Sequence, residues 1–260
     1  MKQVWRLLLI GLLAYLFFMA VNIPARQVQN VINEHVGGIR MQGATGTIRG
    51  GTAARLDLEK VILNQFHWRL RPIDLLLGRL AYNVEFQDGL GAGDANVGSA
   101  LLGGIFLRSV NFESRLDRFS RLIRQIPPIM GEYTVSLRGD LRLDLDEFTL
   151  EGGYPGTAVG QVRWDNAILS IPNGGLTLNF GRVELVLDEV DKGIQGTFSN
   201  QGGEFGGQGE LSLSPQGDYQ ITLILNSRTR WRSDEMQILK MVGGEPQRDG
   251  GYRFDFSGKY

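Results

Sequence analysis

The sequence predicts a mainly β protein, in which an N-terminal single transmembrane helix precedes an elongated, curved antiparallel β-sheet or sandwich-like domain with a few short helices. The 260 residues include 36 glycines without a collagen-like period, which is typical of many tight turns. Short segments of alternating apolar and polar residues recur along the chain. Glycine or proline separates them at about the 8-to-12-residue spacing of an antiparallel meander. No strong repeat or low-complexity linker interrupts residues 26–260, which are predicted to form one β-rich domain.

The first predicted element is a membrane anchor. Leu7–Ala25 contains no charged residue, and at about 1.5 Å per residue it reaches about 28 Å, close to the roughly 30 Å hydrocarbon core of a bilayer. Lys2 and Arg6 precede this run, so the tail is expected in the cytoplasm and the rest of the chain outside it. The alternative is a cleaved signal peptide, which needs a shorter apolar run and an Ala-x-Ala-like site. Residues 22–25 contain no such site, which favours an uncleaved tail and anchor over residues 1–25.

Composition argues against several classes of function. The formal net charge of −1 and a pI of about 6.2 do not suggest a nucleic-acid partner. The chain has no cysteine, which rules out disulfides and thiol chemistry, and only two histidines, His35 and His67, so an imidazole-based metal site would need added carboxylates. We therefore predict no catalytic residue, no cofactor-binding residue and no metal ligand.

Two elements are predicted directly after the anchor. Apolar residues at helical spacing predict a short amphipathic helix over 27–36, whose apolar face would lie on the following domain or on lipid. The glycine-rich residues 43–53 look like a phosphate-binding loop but lack its Lys-Ser/Thr pair and its flanking strand and helix. They are predicted to form a pair of strands with glycine turns.

The next stretch alternates like strands. Residues 55–70 and a strand from Leu80 have this pattern, with a turn between them, and His67 faces away from Phe66 and Trp68. His67 is therefore expected to be exposed. Residues 87–104 are rich in small and polar side chains and are predicted to be turns. Their aspartates, Asp88 and Asp94, lack the spacing of a calcium loop.

A helical stripe over residues 112–126, ended by two prolines, predicts a helix with arginines on its other face. That face would be solvated or would contact anionic headgroups. Residues 135–145 form the clearest predicted strand, apolar on one face and charged on the other. Asp144 and Asp146 lie on the charged face, so solvent exposure explains them better than acid/base catalysis.

The rest of the chain shows the same alternation of apolar and polar residues in shorter segments. Strands are predicted at 159–164, 168–171, 176–180, 183–187, 193–198, 209–213, 219–225 and 252–256. Breaks are predicted at 155–156, 172–175, 202–203, 206–207 and 215–218. One capped helix is predicted over residues 233–242.

Four segments resemble the type II secretion system protein N family. They are Ile23–Ala25, Gly46–Ala53, Trp68–Pro72 and Leu75–Leu80. The family typically has an aromatic residue where Arg49 stands in this chain. The resemblance implies a single-pass protein of the Gram-negative inner membrane, with a C-terminal periplasmic domain that takes part in the secretion assembly and has no catalytic residues. A looser similarity to AsmA-like proteins implies an apolar groove suited to lipid.

Three functions follow as hypotheses. The first is a non-enzymatic component of the type II secretion machinery, held by its anchor and acting through contacts with other secretion-system proteins. The alternative is a periplasmic lipid-binding or lipid-transfer protein, in which one-sided strands would line an open groove. The third, a glycan hydrolase with paired acids, is disfavoured because no carboxylate pair has an apolar setting.

Overall fold

The computed structural model describes residues 5, 8, 11, 12, 15, 18, 19, 22–58, 61–87, 91–100, 103–119, 136–151, 154–171, 175–190 and 193–259. The described chain is mainly β with antiparallel pairing, as predicted. It divides into two compact units, one comprising residues 1–89 and 96–101 and the other residues 90–95 and 102–260.

The predicted anchor, Leu7–Ala25, lies partly outside the described residues. Within the part of the chain that the structure describes, no helix is both long enough and apolar enough to cross a membrane.

The described part of residues 1–89 in the first unit contains two helices and five strands. Its elements are α1 (Ala25–His35), β1 (Ile39–Gln42), β2 (Thr45–Thr47), β3 (Gly50–Leu58), β4 (Val61–Leu70), α2 (Pro72–Leu76) and β5 (Arg79–Gln87). The strands pair in the order β1, β3, β4, β5, and β2 also pairs with β3. The helix predicted at 27–36 and the strands predicted within 43–70 are confirmed. The turn predicted after Leu70 contains the short helix α2.

Helix α1 packs on its own unit rather than standing apart from it. Ala25 is buried with Met41 and Leu56, and Ile32 packs against the same cluster. Pro24 pairs with Thr47, which fixes the start of the helix beside β2. Ala25 and Ile32 therefore lie on the following domain, the first of the two placements predicted for the apolar face, whereas Val31 and Val36 of that face are 58% and 42% exposed.

The second unit is built from long strands that follow one another in chain order. Its elements are β6 (Gly91–Ala100, of which residues 91–95 belong to this unit), β7 (Ile105–Arg115), a 3-10 turn (Leu116–Phe119), β8 (Ser136–Glu151), β9 (Tyr154–Ile171), β10 (Leu176–Val190), β11 (Gly193–Gln201), β12 (Phe205–Leu213), β13 (Asp218–Ser227), α3 (Ser233–Met241), β14 (Glu245–Pro246) and β15 (Tyr252–Lys259). From β7 to β13 each strand pairs with the next, then β13 pairs with β15 and β15 with β14. The helix predicted at 233–242 is confirmed as α3, but its N-cap is Arg232 rather than Ser233, and the Glu235 carboxylate accepts the Arg232 N–H at 2.8 Å.

Two predictions around β6 and β7 are wrong. Residues 87–104 contain strand β6 rather than turns alone. Gly91 lies directly against the Glu113 carbonyl and the Ser114 side chain of β7, where a Cβ would clash, so the small residues permit close strand pairing. The helix predicted over 112–126 is a strand up to Arg115 and a 3-10 turn up to Phe119. Residues 120–135 lie outside the described part.

Pairing across the sheet explains why the helical pattern failed. Phe112 lies opposite Leu143 of β8, and its exposed neighbours Asn111 and Glu113 point to the other face. Phe112 fits both a helical apolar spacing and the alternation of a strand. Pairing with β8 makes this segment a strand.

Two of the predicted breaks lie within strands. Pro155 and Gly156 are in β9, where Pro155 lies opposite Leu150 beside a shift in register that tolerates a residue without an N–H. Gly206 and Gly207 are in β12. Strands β8, β9 and β10 have 16, 18 and 15 residues, which is longer than the predicted spacing allows.

Candidate interaction surface

The histidines do not form a catalytic or metal site in the described chain. His35 ends α1 and is exposed, with Nδ1 3.2 Å from the Val31 carbonyl, and His67 is exposed on β4 as predicted. No three His, Asp or Glu side chains of the described residues are grouped to hold a metal ion. Asp94 accepts a hydrogen bond from the Asn111 amide at 3.2 Å, and Asp88 lies outside the described residues.

Part of the charged face of β8 is paired with charged side chains of its neighbours. In one row across β7 to β10, Glu113 binds Arg142 at 3.3 Å and Glu184 binds Arg163 at 3.1 Å, while the two arginines lie opposite each other. The predicted exposure of Asp144 is confirmed. These side chains form a solvated polar face, in which the outer glutamates offset the adjacent arginines.

Ion pairs and burial account for the altered pKa values. A 2.6 Å hydrogen bond from Arg182 to Asp165 raises the pKa of the guanidinium above its usual value. Hydrogen bonds from Arg253 and Thr222 lower the pKa of Asp255. The hydrogen bond to Asp255 in turn raises the pKa of Arg253. Burial raises the pKa of the Tyr82 hydroxyl in the first unit.

The opposite face of the second unit is apolar across eight strands. The strand registers align one row of residues from β7 to β15. It consists of Phe112, Leu143, Val162, Leu185, Phe198, Gly209, Leu223 and Phe254. An adjacent row begins at Val110 and ends at Phe256. Most of these side chains are half-buried, so the face keeps accessible apolar surface.

One end of this apolar face is covered by helix α3. Leu239 is 2% exposed and belongs to a cluster with Leu178, Leu225 and Phe254. Beside the helix lies a cavity of about 170 Å³. Asn200 contributes a polar side chain to its lining, but its amide group bonds to the backbone of Phe205 and other residues. The cavity is thus apolar, and it is smaller than the roughly 300–1,000 Å³ of typical small-molecule pockets.

The edge of the first unit is closed by side chains of α1. The Asn33 amide accepts the Met41 N–H at 2.8 Å and donates to the Met41 carbonyl at 2.9 Å. Gln29 accepts the Ala44 N–H at 2.9 Å. Asn33 therefore takes the place of a neighbouring strand, and the outer side of β1 is not free to pair with another chain.

Sequence reasoning predicted the alternation within β8 but not the continuous face. The apolar periodicity of each strand was the available signal. The register between strands, which aligns Leu143 with Val162 and Leu185, follows from pairings distant in sequence.

Comparison with known proteins identifies the family. The family described as "Type II secretion system (T2SS), protein N" matches residues 37–255, which include strands of both units. The chain belongs to this family. The resemblance inferred from the segments between Ile23 and Leu80 is thereby confirmed.

Relatives in the type II secretion system protein N family align over almost the whole chain. The Type II secretion system protein N of Aeromonas hydrophila is 26% identical over 262 aligned residues, covering 100% of both chains. The protein of the same name from Pectobacterium carotovorum subsp. carotovorum is 25% identical over 254 residues, covering 95% of this chain and 94% of the relative. No solved structure matches the chain.

Proposed function

We propose that this chain is a non-enzymatic component of the type II secretion machinery that acts through contacts with other proteins of that machinery. Residues 1–25 anchor it in the inner membrane, and residues 26–260 lie in the periplasm. The observation that carries the proposal is the family match over residues 37–255. The uncharged run Leu7–Ala25 and the basic residues before it support the anchor and its orientation.

The distribution of ionisable side chains supports a binding role over a catalytic one. On the polar face of the second unit, carboxylates such as Glu113 and Glu184 bind arginines of adjacent strands. Catalytic acids and bases instead converge in a cleft, where their environment shifts their pKa values apart.

A second candidate function is lipid binding, and the apolar face of the second unit favours it. The half-buried row from Phe112 to Phe254 offers apolar surface to an acyl chain. The cavity beside α3 has only about 170 Å³, so a lipid would need the open face as well. The family match favours the secretion role, and lipid binding is the alternative that the experiment must distinguish.

The test is purification of the tagged full-length protein from its native host in mild detergent, with mass spectrometry of co-purifying proteins and lipids. An untagged strain provides the control. We expect other secretion-system proteins in near-stoichiometric yield without enrichment of one lipid class. Stoichiometric lipid without secretion-system proteins would overturn the proposal and support the lipid-binding alternative.

A further inference from the structure

Strand β15 has an outer side with few backbone partners. On its inner side it pairs with β13 along its whole length, from Tyr252 with Leu225 to Lys259 with Asp218. On its outer side β14 pairs only with Tyr252 and Arg253. In the described chain, no strand pairs with the outer side of residues 254–259. This edge therefore differs from β1, which Asn33 closes.

The outward backbone groups of β15 can be assigned. The Gln247 N–H donates to the Gly251 carbonyl at 2.8 Å, so the backbone groups of Gly251 face the outer side. In a strand, alternate residues direct their N–H and C=O groups to the same neighbour. Asp255, Ser257 and Lys259 therefore direct theirs outward, and their side chains are exposed on the polar face.

We propose that β15 pairs in antiparallel orientation with β15 of a second copy of this chain, with Ser257 opposite its counterpart. In this register Asp255 of each copy lies opposite Lys259 of the other. Three residue pairs, with outward groups on both strands, would form about six backbone hydrogen bonds. On the apolar face, Phe256 of one copy would lie opposite Gly258 of the other, a pairing in which an aromatic side chain covers a glycine.

Charge disfavours the two registers that are centred on the other outward residues. Centring the pair on Asp255 would place two aspartates opposite each other, and centring it on Lys259 would oppose two lysines, both of which are destabilising. Asp255 is held in place by Arg253, at 2.8 and 3.0 Å, and by the Thr222 hydroxyl at 2.7 Å. Its carboxylate is thus ordered and charged opposite Lys259.

The interface is short, and we expect its buried area to be well below the roughly 1,600 Å² of a standard interface. The dimer is therefore expected to be weak and concentration-dependent. The proposal goes beyond the proposed function and is independent of it. A chain that remains monomeric but captures secretion-system proteins would overturn only the dimer.

The first test uses the absence of cysteine from the chain. Ser257→Cys introduces a single thiol at the centre of the pairing, where the facing Cα atoms would be about 5.5 Å apart, within the range of a disulfide. The matched control is Ser212→Cys, also exposed but on β12, which has neighbours on both sides. Under mild oxidation of the full-length protein, we expect a linked dimer from Ser257→Cys at higher yield than from the control. Equal yields, or no dimer, would overturn the proposal.

The second test changes the charges in the Ser257→Cys background. Lys259→Asp places like charges opposite each other, and we expect the dimer yield to fall about threefold or more. Adding Asp255→Lys restores opposite charges and is expected to restore the yield. An unchanged yield with Lys259→Asp would contradict the proposed register, and circular dichroism checks that each variant remains folded.

Discussion

At the scale of single residues, side-chain amides form hydrogen bonds to backbone groups that a neighbouring strand would usually form. Asn33 makes both hydrogen bonds that a strand residue would make to Met41, and Gln29 extends this contact to Ala44. Asn200 similarly satisfies the backbone of Phe205 and Gly207 next to the apolar cavity. Such contacts prevent unpaired polar groups in places where the regular ladder ends.

Replacing Asn33 is therefore expected to destabilise the first unit. Asn33→Ala leaves the N–H and carbonyl of Met41, a residue only 8% exposed, without these partners, and we expect a loss of about 1–3 kcal/mol in the free energy of unfolding. Urea denaturation of the full-length protein in detergent measures the change. Asn30→Ala, at an exposed position of the same helix, is the matched control and should have little effect. Equal losses in the two variants would show that Asn33 does not close the edge.

At the scale of elements, the sequence predicted the helices and strands whose apolar spacing is visible within one segment. Helices α1 and α3 have apolar spacing with clear ends, so each was predicted near its observed position. Strand β8 was predicted over 135–145, where it alternates, but not over its last residues, where its register with β9 shifts. Strand β6 was missed because its glycines and alanines give no apolar periodicity, and it is defined by its close approach to β7. The apolar face was predicted only as the open groove of the lipid-binding alternative, since its continuity depends on registers between strands that no local pattern encodes.

Helix α3 is expected to stabilise the second unit through Leu239. Leu239→Ala removes a side chain that is 2% exposed and enlarges the adjacent cavity, so we expect a loss of about 2–5 kcal/mol in the free energy of unfolding. Met241→Ala, in the same helix but 60% exposed, is the control and should change it by less than about 0.5 kcal/mol. The measurement is chemical denaturation followed by tryptophan fluorescence, because Trp231 packs on Phe205 and Tyr252 of this cluster. A small effect of Leu239→Ala would mean that the helix is not a necessary part of the core.

At the scale of the whole molecule, one family match covers the parts of the chain described separately above. It includes strands of both units, and the relatives align over nearly the full chain. The second unit carries a polar face neutralised by ion pairs and an apolar face that remains partly accessible. These features are typical of a protein that works by presenting surfaces, and they agree with a role in contacts within the secretion machinery.

The most direct measurement of that role is photo-cross-linking in the native host with the full-length chain. A photoreactive phenylalanine analogue is placed at Phe198 on the apolar face and, in a second strain, at its neighbour Ser199, which is exposed on the polar face. We predict adducts with other type II secretion proteins from at least one position, and their loss in a host that lacks those proteins. Adducts that contain none of these proteins at either position would contradict the account.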